Sequence, residues 1–101
     1  MEIRTVELVE NYKNTALEIV EIKPNPWTDF SNLEYFIETE SDVNVLITDL
    51  QGKQVYSLTT HQRAGLNRLQ LTNDILPHPG VYLIHIDNGN TTATKKMIKL
   101  E

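Results

Sequence analysis

The chain has 101 residues, 40% of them apolar and 23% charged, and no cysteine, which sets it at one globular domain with a core and no disulfide staples. Zinc ribbons, iron–sulfur clusters and thiol nucleophiles are excluded. A net charge of -5 argues against a domain whose main task is gripping nucleic acid or anionic lipid. The charge is uneven: residues 1 to 50 hold 11 acidic against 3 basic residues and residues 51 to 101 hold 3 against 6, ending in the basic cluster Lys95, Lys96 and Lys99.

No apolar run reaches the length of a membrane span, so no transmembrane segment is expected. The opening Met-Glu-Ile-Arg-Thr lacks the apolar stretch of a signal peptide, so a chain destined for export is expected to be part of a longer one.

Taken in order, residues 1 to 15 have no clear period and read as a linker or the end of an upstream region. Residues 16 to 23 set Leu17, Ile19 and Ile22 against Glu18 and Glu21, the alternation of a half-buried strand. The run stops at Pro24-Asn25-Pro26, which holds the preceding residues extended and removes two backbone donors. Residues 33 to 39 put Leu33, Tyr35 and Ile37 on one face and Glu34, Phe36 and Glu38 on the other. Residues 43 to 49 oppose Val43, Val45 and Ile47 to Asn44, Leu46 and Thr48, with Glu40-Ser41-Asp42 read as a polar turn between the two strands.

Asp49-Leu50-Gln51-Gly52-Lys53 has an Asp to open a turn and a Gly for positive φ, so a β-hairpin into Val55 to Thr59 is predicted. Gly65 opens a strand over Leu66 to Leu71. Leu76-Pro77-His78-Pro79-Gly80 is a stiff loop before the strand Val81 to Asp87, and Asn88-Gly89 matches a type I′ hairpin returning through Thr91 to Leu100. Short strands about ten residues apart predict an antiparallel β-sandwich over 16 to 101.

Few residues carry chemistry. His61, His78 and His85 have no ligand spacing and read as surface imidazoles, His61 in a polar turn. Glu38, Glu40 and Asp42 offer oxygen ligands for a hard cation, but their spacing matches no EF-hand, and a solvated acidic loop is the plainer reading. Serines 31, 41 and 57 sit in no nucleophile motif, and no phosphate-binding glycine loop occurs. Neither catalysis nor a cofactor is expected. Trp27, Tyr35, Phe36, Tyr56 and Tyr82 could make a sugar-stacking platform, with core packing favoured for Tyr35 and Tyr82. Asn90-Thr91-Thr92 reads as a sequon on a hairpin turn. The last strand mixes apolar and basic positions, as an edge strand does; its lysines either block aggregation or meet acidic partners during strand addition.

Lys-Pro-Asn-Pro-Trp at 23 to 27, Asp-Leu-Gln-Gly-Lys-Gln-Val at 49 to 55, Ala-Gly-Leu-Asn at 64 to 67, Leu-Pro followed by Pro-Gly-Val-Tyr from 76 to 82, and Thr-Lys-Lys-Met-Ile-Lys at 94 to 99 stand in one order. This ordered set resembles the C-terminal sorting domain of the type IX secretion system of Bacteroidetes, over about residues 16 to 99. The resemblance implies an immunoglobulin-like sandwich of about seven strands that catalyses nothing. It implies a secretion signal directing a larger cargo from the periplasm across the outer membrane, to surface attachment or release. The implied partners are the type IX translocon, a surface sortase-like protease and the upstream cargo domain. It places recognition on Gly80, Val81 and Tyr82 and on Lys95, Lys96, Met97, Ile98 and Lys99, with Pro24, Asn25 and Pro26 at the domain entrance and Gly52 and Gly65 as structural positions. His78-Pro79 has one residue more than the family pattern. An exposed edge strand also permits weak self-association. The alternative is a carbohydrate-binding or adhesive immunoglobulin-like module appended to a secreted enzyme.

Overall fold

The computed structural model describes residues 16 to 101; the linker predicted over 1 to 15 lies outside them. The described residues form seven antiparallel strands: β1 (Leu17–Lys23), β2 (Phe30–Ile37), β3 (Ser41–Asp49), β4 (Gln54–Gln62), β5 (Gly65–Thr72), β6 (Gly80–Asp87) and β7 (Thr92–Lys99). One sheet has the order β1-β2-β5 and the other β4-β3-β6-β7. The chain crosses between sheets after β2, β4 and β5, and the result is the sandwich that the alternation predicts, with the immunoglobulin-like form that the resemblance implies.

The core comes from the facing sides of the two sheets. Leu33, Tyr35 and Ile37 of β2 meet Val43, Val45 and Ile47 of β3 and Ile84 and Ile86 of β6, all fully buried or nearly so. Each such side chain contributes roughly 1.5–3 kcal/mol on burial, so these three central strands hold the sheets together. Leu76 closes the core from the loop after β5.

Several boundaries differ from the sequence reading. In β1, Ile19 pairs with Tyr35 and Glu21 with Glu34, so Val20 is an extra residue that bulges outward. The bulge resets the alternation, which is how Leu17, Ile19 and Ile22 all become buried while Val20 and Glu21 stay exposed. Strand β2 begins at Phe30 rather than 33, and β4 continues to Gln62, so His61 stands on a strand and not in a turn. Ser41 and Asp42 open β3 and pair with Gln62 and His61; the connection from β2 is residues 38 to 40.

The two hairpin turns divide. At 49 to 53 the prediction holds: Gly52 has φ +90°, its N–H donates to the Asp49 carbonyl at 3.1 Å, and Asp49 Oδ1 accepts from the N–H groups of Gln51 and Lys53, each at 2.9 Å. At 88 to 91 it does not. A type I′ turn needs positive φ at both central residues, yet of this stretch only Gly89 has it, with φ +95°. Gly89 is the first of the two central residues, the sign pattern of a II′ turn. Asn88 Oδ1 instead caps the N–H groups of Asn90 and Thr91, at 3.0 and 2.9 Å.

Candidate functional site

Strand β7 pairs with β6 on one side only, with Gly80 opposite Lys99, Val81 opposite Ile98 and Tyr82 opposite Met97. The two segments assigned by resemblance to recognition are therefore neighbours at the edge of the four-stranded sheet. Alternation then divides them. Tyr82, Met97 and Lys99 point into the sandwich and are buried, whereas Lys95 and Lys96 are exposed and Val81 and Ile98 are half-buried. On the folded domain Tyr82, Met97 and Lys99 hold the strand in place; Val81, Lys96 and Ile98 face outward, and Lys95, on the same side of the strand as Met97, is exposed beyond the core.

Each buried polar side chain here has an identifiable setting. Tyr82 donates its hydroxyl to the His78 carbonyl at 2.7 Å, which anchors the Leu76–Gly80 loop. Burial, reinforced by the Asp49 carboxylate, pushes the Tyr82 hydroxyl up from its ordinary pKa. The Lys99 ammonium, with its residue only 4% exposed, donates to the Leu100 carbonyl at 3.0 Å and lies 5.2 Å from the centre of the Trp27 ring, a cation–π contact.

Trp27 itself is 1% exposed, and its indole N–H has no hydrogen-bond partner. It is a core residue and not part of a sugar platform. Tyr35 and Tyr82 are core as well, and Tyr56 is partly buried against the core cluster. Of the five aromatics considered, Phe36 alone lies half-exposed on an outer sheet face.

The Pro24-Asn25-Pro26 segment is not at the entrance of the domain, since β1 precedes it. It leaves β1, runs along the outer edge of β7 and returns to β2. Both of its X–Pro bonds are cis. The Asn25 side chain acts as a piece of strand backbone there: its Nδ2 donates to the Lys96 carbonyl at 3.3 Å and its Oδ1 accepts from the Ile98 N–H at 2.9 Å. The ladder continues through Trp27, whose N–H donates to the Ile98 carbonyl at 3.1 Å and whose carbonyl accepts from the Leu100 N–H at 2.7 Å. Proline suits this place, because an edge segment can spare its N–H. Buried Ser31 ties the segment back to β2 by donating to the Pro24 carbonyl at 2.6 Å. Sequence reasoning missed this clasp because its partners lie 71 and 73 positions apart.

The remaining polar candidates sit elsewhere. The His61 imidazole lies between Asp42, 2.8 Å from Nδ1, and Glu40, 2.7 Å from Nε2. Hydrogen bonds to Asp42 first and Glu40 second raise its pKa above the ordinary imidazole value. Two of the three carboxylates read as an acidic loop are thus paired with an imidazole. His85 bridges Thr48 and Thr94 hydroxyls, each at 3.1 Å, across the outer face of the four-stranded sheet. Among the described residues no group of three or more His, Asp and Glu side chains is arranged to hold a metal ion, and no helix is long and apolar enough to cross a membrane.

No curated protein matches the chain. A family model described as the secretion system C-terminal sorting domain matches residues 21 to 100, a span that takes in the Asn25 clasp, the Gly80–Tyr82 segment and the final strand. The chain belongs to the family of type IX secretion C-terminal sorting domains.

Proposed function

We propose that this domain is the export signal of a larger cargo protein, carrying it from the periplasm across the outer membrane by the type IX translocon to surface attachment or release. The family membership gives a type IX sorting signal on a secreted or cell-surface protein. The observation that carries the finer reading is that two family motifs far apart in sequence, Pro24–Trp27 and Lys95–Lys99, meet at one sheet edge beside Gly80–Tyr82. A signal built this way is a folded surface rather than a linear tail. Its accessible groups are Val81, Lys95, Lys96 and Ile98, while Gly80, Tyr82, Met97 and Lys99 set their positions.

Catalysis on this reading resides in the cargo. A sortase-like surface protease acts upstream of the domain, and the stretch of β7 edge beyond the clasp supports weak self-association. The test is a cargo fusion lacking Lys95 to Glu101. The truncated fusion is expected to accumulate in the periplasm of a type IX-competent host, and its normal export would refute the reading.

A further inference from the structure

Strand β7 is at the edge of its sheet, where a partner ordinarily docks by adding a strand. Along its C-terminal half that mode is closed. The Lys96 carbonyl, both backbone groups of Ile98 and the Leu100 N–H are already bonded to Asn25 and Trp27. By the alternation of a strand, the outward backbone groups beyond the clasp are those of Thr92 and Thr94.

What this half leaves open is its side-chain face on the outside of the sandwich. Register places Val81 beside Ile98, and Leu83 between Thr48 and Lys96. Val81, Leu83 and Ile98 are half-buried and Lys96 is exposed, so a small apolar patch is bordered by an ammonium group. The chain carries a net charge of -5, yet none of the residues in these paired rows is a carboxylate. Lysine stems extend apolar cover while their heads seek opposite charge.

We propose that the export machinery reads this outer face, Val81, Leu83, Lys96 and Ile98, by docking an apolar protein surface rimmed with carboxylates, and not by adding a strand to β7. The proposal rests on the sorting reading above and adds to it the chemistry and side of the contact. Like charge set against a carboxylate rim disfavours docking strongly, while an apolar face loses affinity when made polar.

The experiment uses a periplasmic reporter fused to the full chain in a type IX-competent host, with a melting curve on each purified variant to establish folding. Lys96→Glu is expected to cut the exported fraction by about tenfold or more, and Lys96→Arg to restore it. Leu83→Thr, which keeps a strand-favouring side chain, is expected to reduce export several-fold. Thr94→Pro removes the outward N–H that strand addition would use and is expected to leave export unchanged. Loss of export on Thr94→Pro with a normal melt overturns the proposal, as does unchanged export of both Lys96→Glu and Leu83→Thr. Failure of the unaltered fusion to leave the cell overturns the sorting reading itself, a result distinguishable from either.

Discussion

Replacing Asn25 by Ala isolates the clasp from the rest of the fold. The substitution removes the 3.3 Å bond to the Lys96 carbonyl and the 2.9 Å bond from the Ile98 N–H, and touches no core side chain. A neutral hydrogen bond contributes about 0.5–1.5 kcal/mol net. The longer of the two is weak and both are exposed to replacement by water, so the pair should be worth about 1–2 kcal/mol. For a domain of this size that is a drop in Tm of about 5–10 °C. Asn25→Asp keeps the acceptor for Ile98 but sets a carboxylate against the Lys96 carbonyl, so it should fall at least halfway to Ala.

Thermal melts give the global effect, and amide hydrogen exchange gives the local one. In Asn25→Ala the Ile98 amide, deprived of its partner, should exchange at least about tenfold faster, while core amides of β3 and β6 should change only with global stability. An unchanged Ile98 amide together with a Tm within about 1 °C of the parent would refute the claim that Asn25 holds the final strand.

Three further substitutions or titrations bear on the same account. Trp27→Ala should cost about 3–5 kcal/mol, enough to unfold much of a marginally stable domain, whereas Trp27→Phe should cost clearly less because the lost indole N–H had no partner; chemical denaturation compares them, and equal losses would contradict this. Gly52→Ala forces an L side chain to φ +90° and should cost roughly 1–2 kcal/mol although a Cβ there meets no atom; no change in the denaturation midpoint would contradict a backbone cause. For His61, whose folded pKa is raised, the stabilisation is complete below the ordinary value of about 6.5 and is lost as pH rises through the raised one. An NMR titration should place its midpoint above that value and Asp42→Asn should lower it more than Glu40→Gln; a midpoint at or below the ordinary value would contradict the pairing.

How much of this was legible depended on whether the deciding contacts were local. Strict alternation identified Leu33, Tyr35, Ile37, Val43, Val45 and Ile47 as core, because in a sandwich one face of each central strand must be buried. The Asp49–Lys53 turn was readable for the same reason, since its Asp and Gly act within a few residues. The Asn88-Gly89 pair was misread because the Asn88 side chain bonds its own turn, at Asn90 and Thr91, and needs no positive φ of its own.

The site was less legible. Trp27 follows two prolines and precedes a polar run, so nothing nearby marks it as buried; its place in the core is set by backbone pairing with Ile98, Lys99 and Leu100 at the far end of the chain, with the Lys99 ammonium over its ring. Lys99 reads as one of a basic cluster, yet strand alternation turns it inward against Trp27, to the face opposite Lys96. The ordered motifs identified the family, but the contact between the first and last of them is three-dimensional.

The most direct test of the central claim is export of a fluorescent reporter fused to this chain, compared between a type IX-competent strain and one lacking the translocon. The account predicts reporter in the medium or on the surface of the competent strain only. Equal retention of an intact, folded fusion in both strains would contradict it.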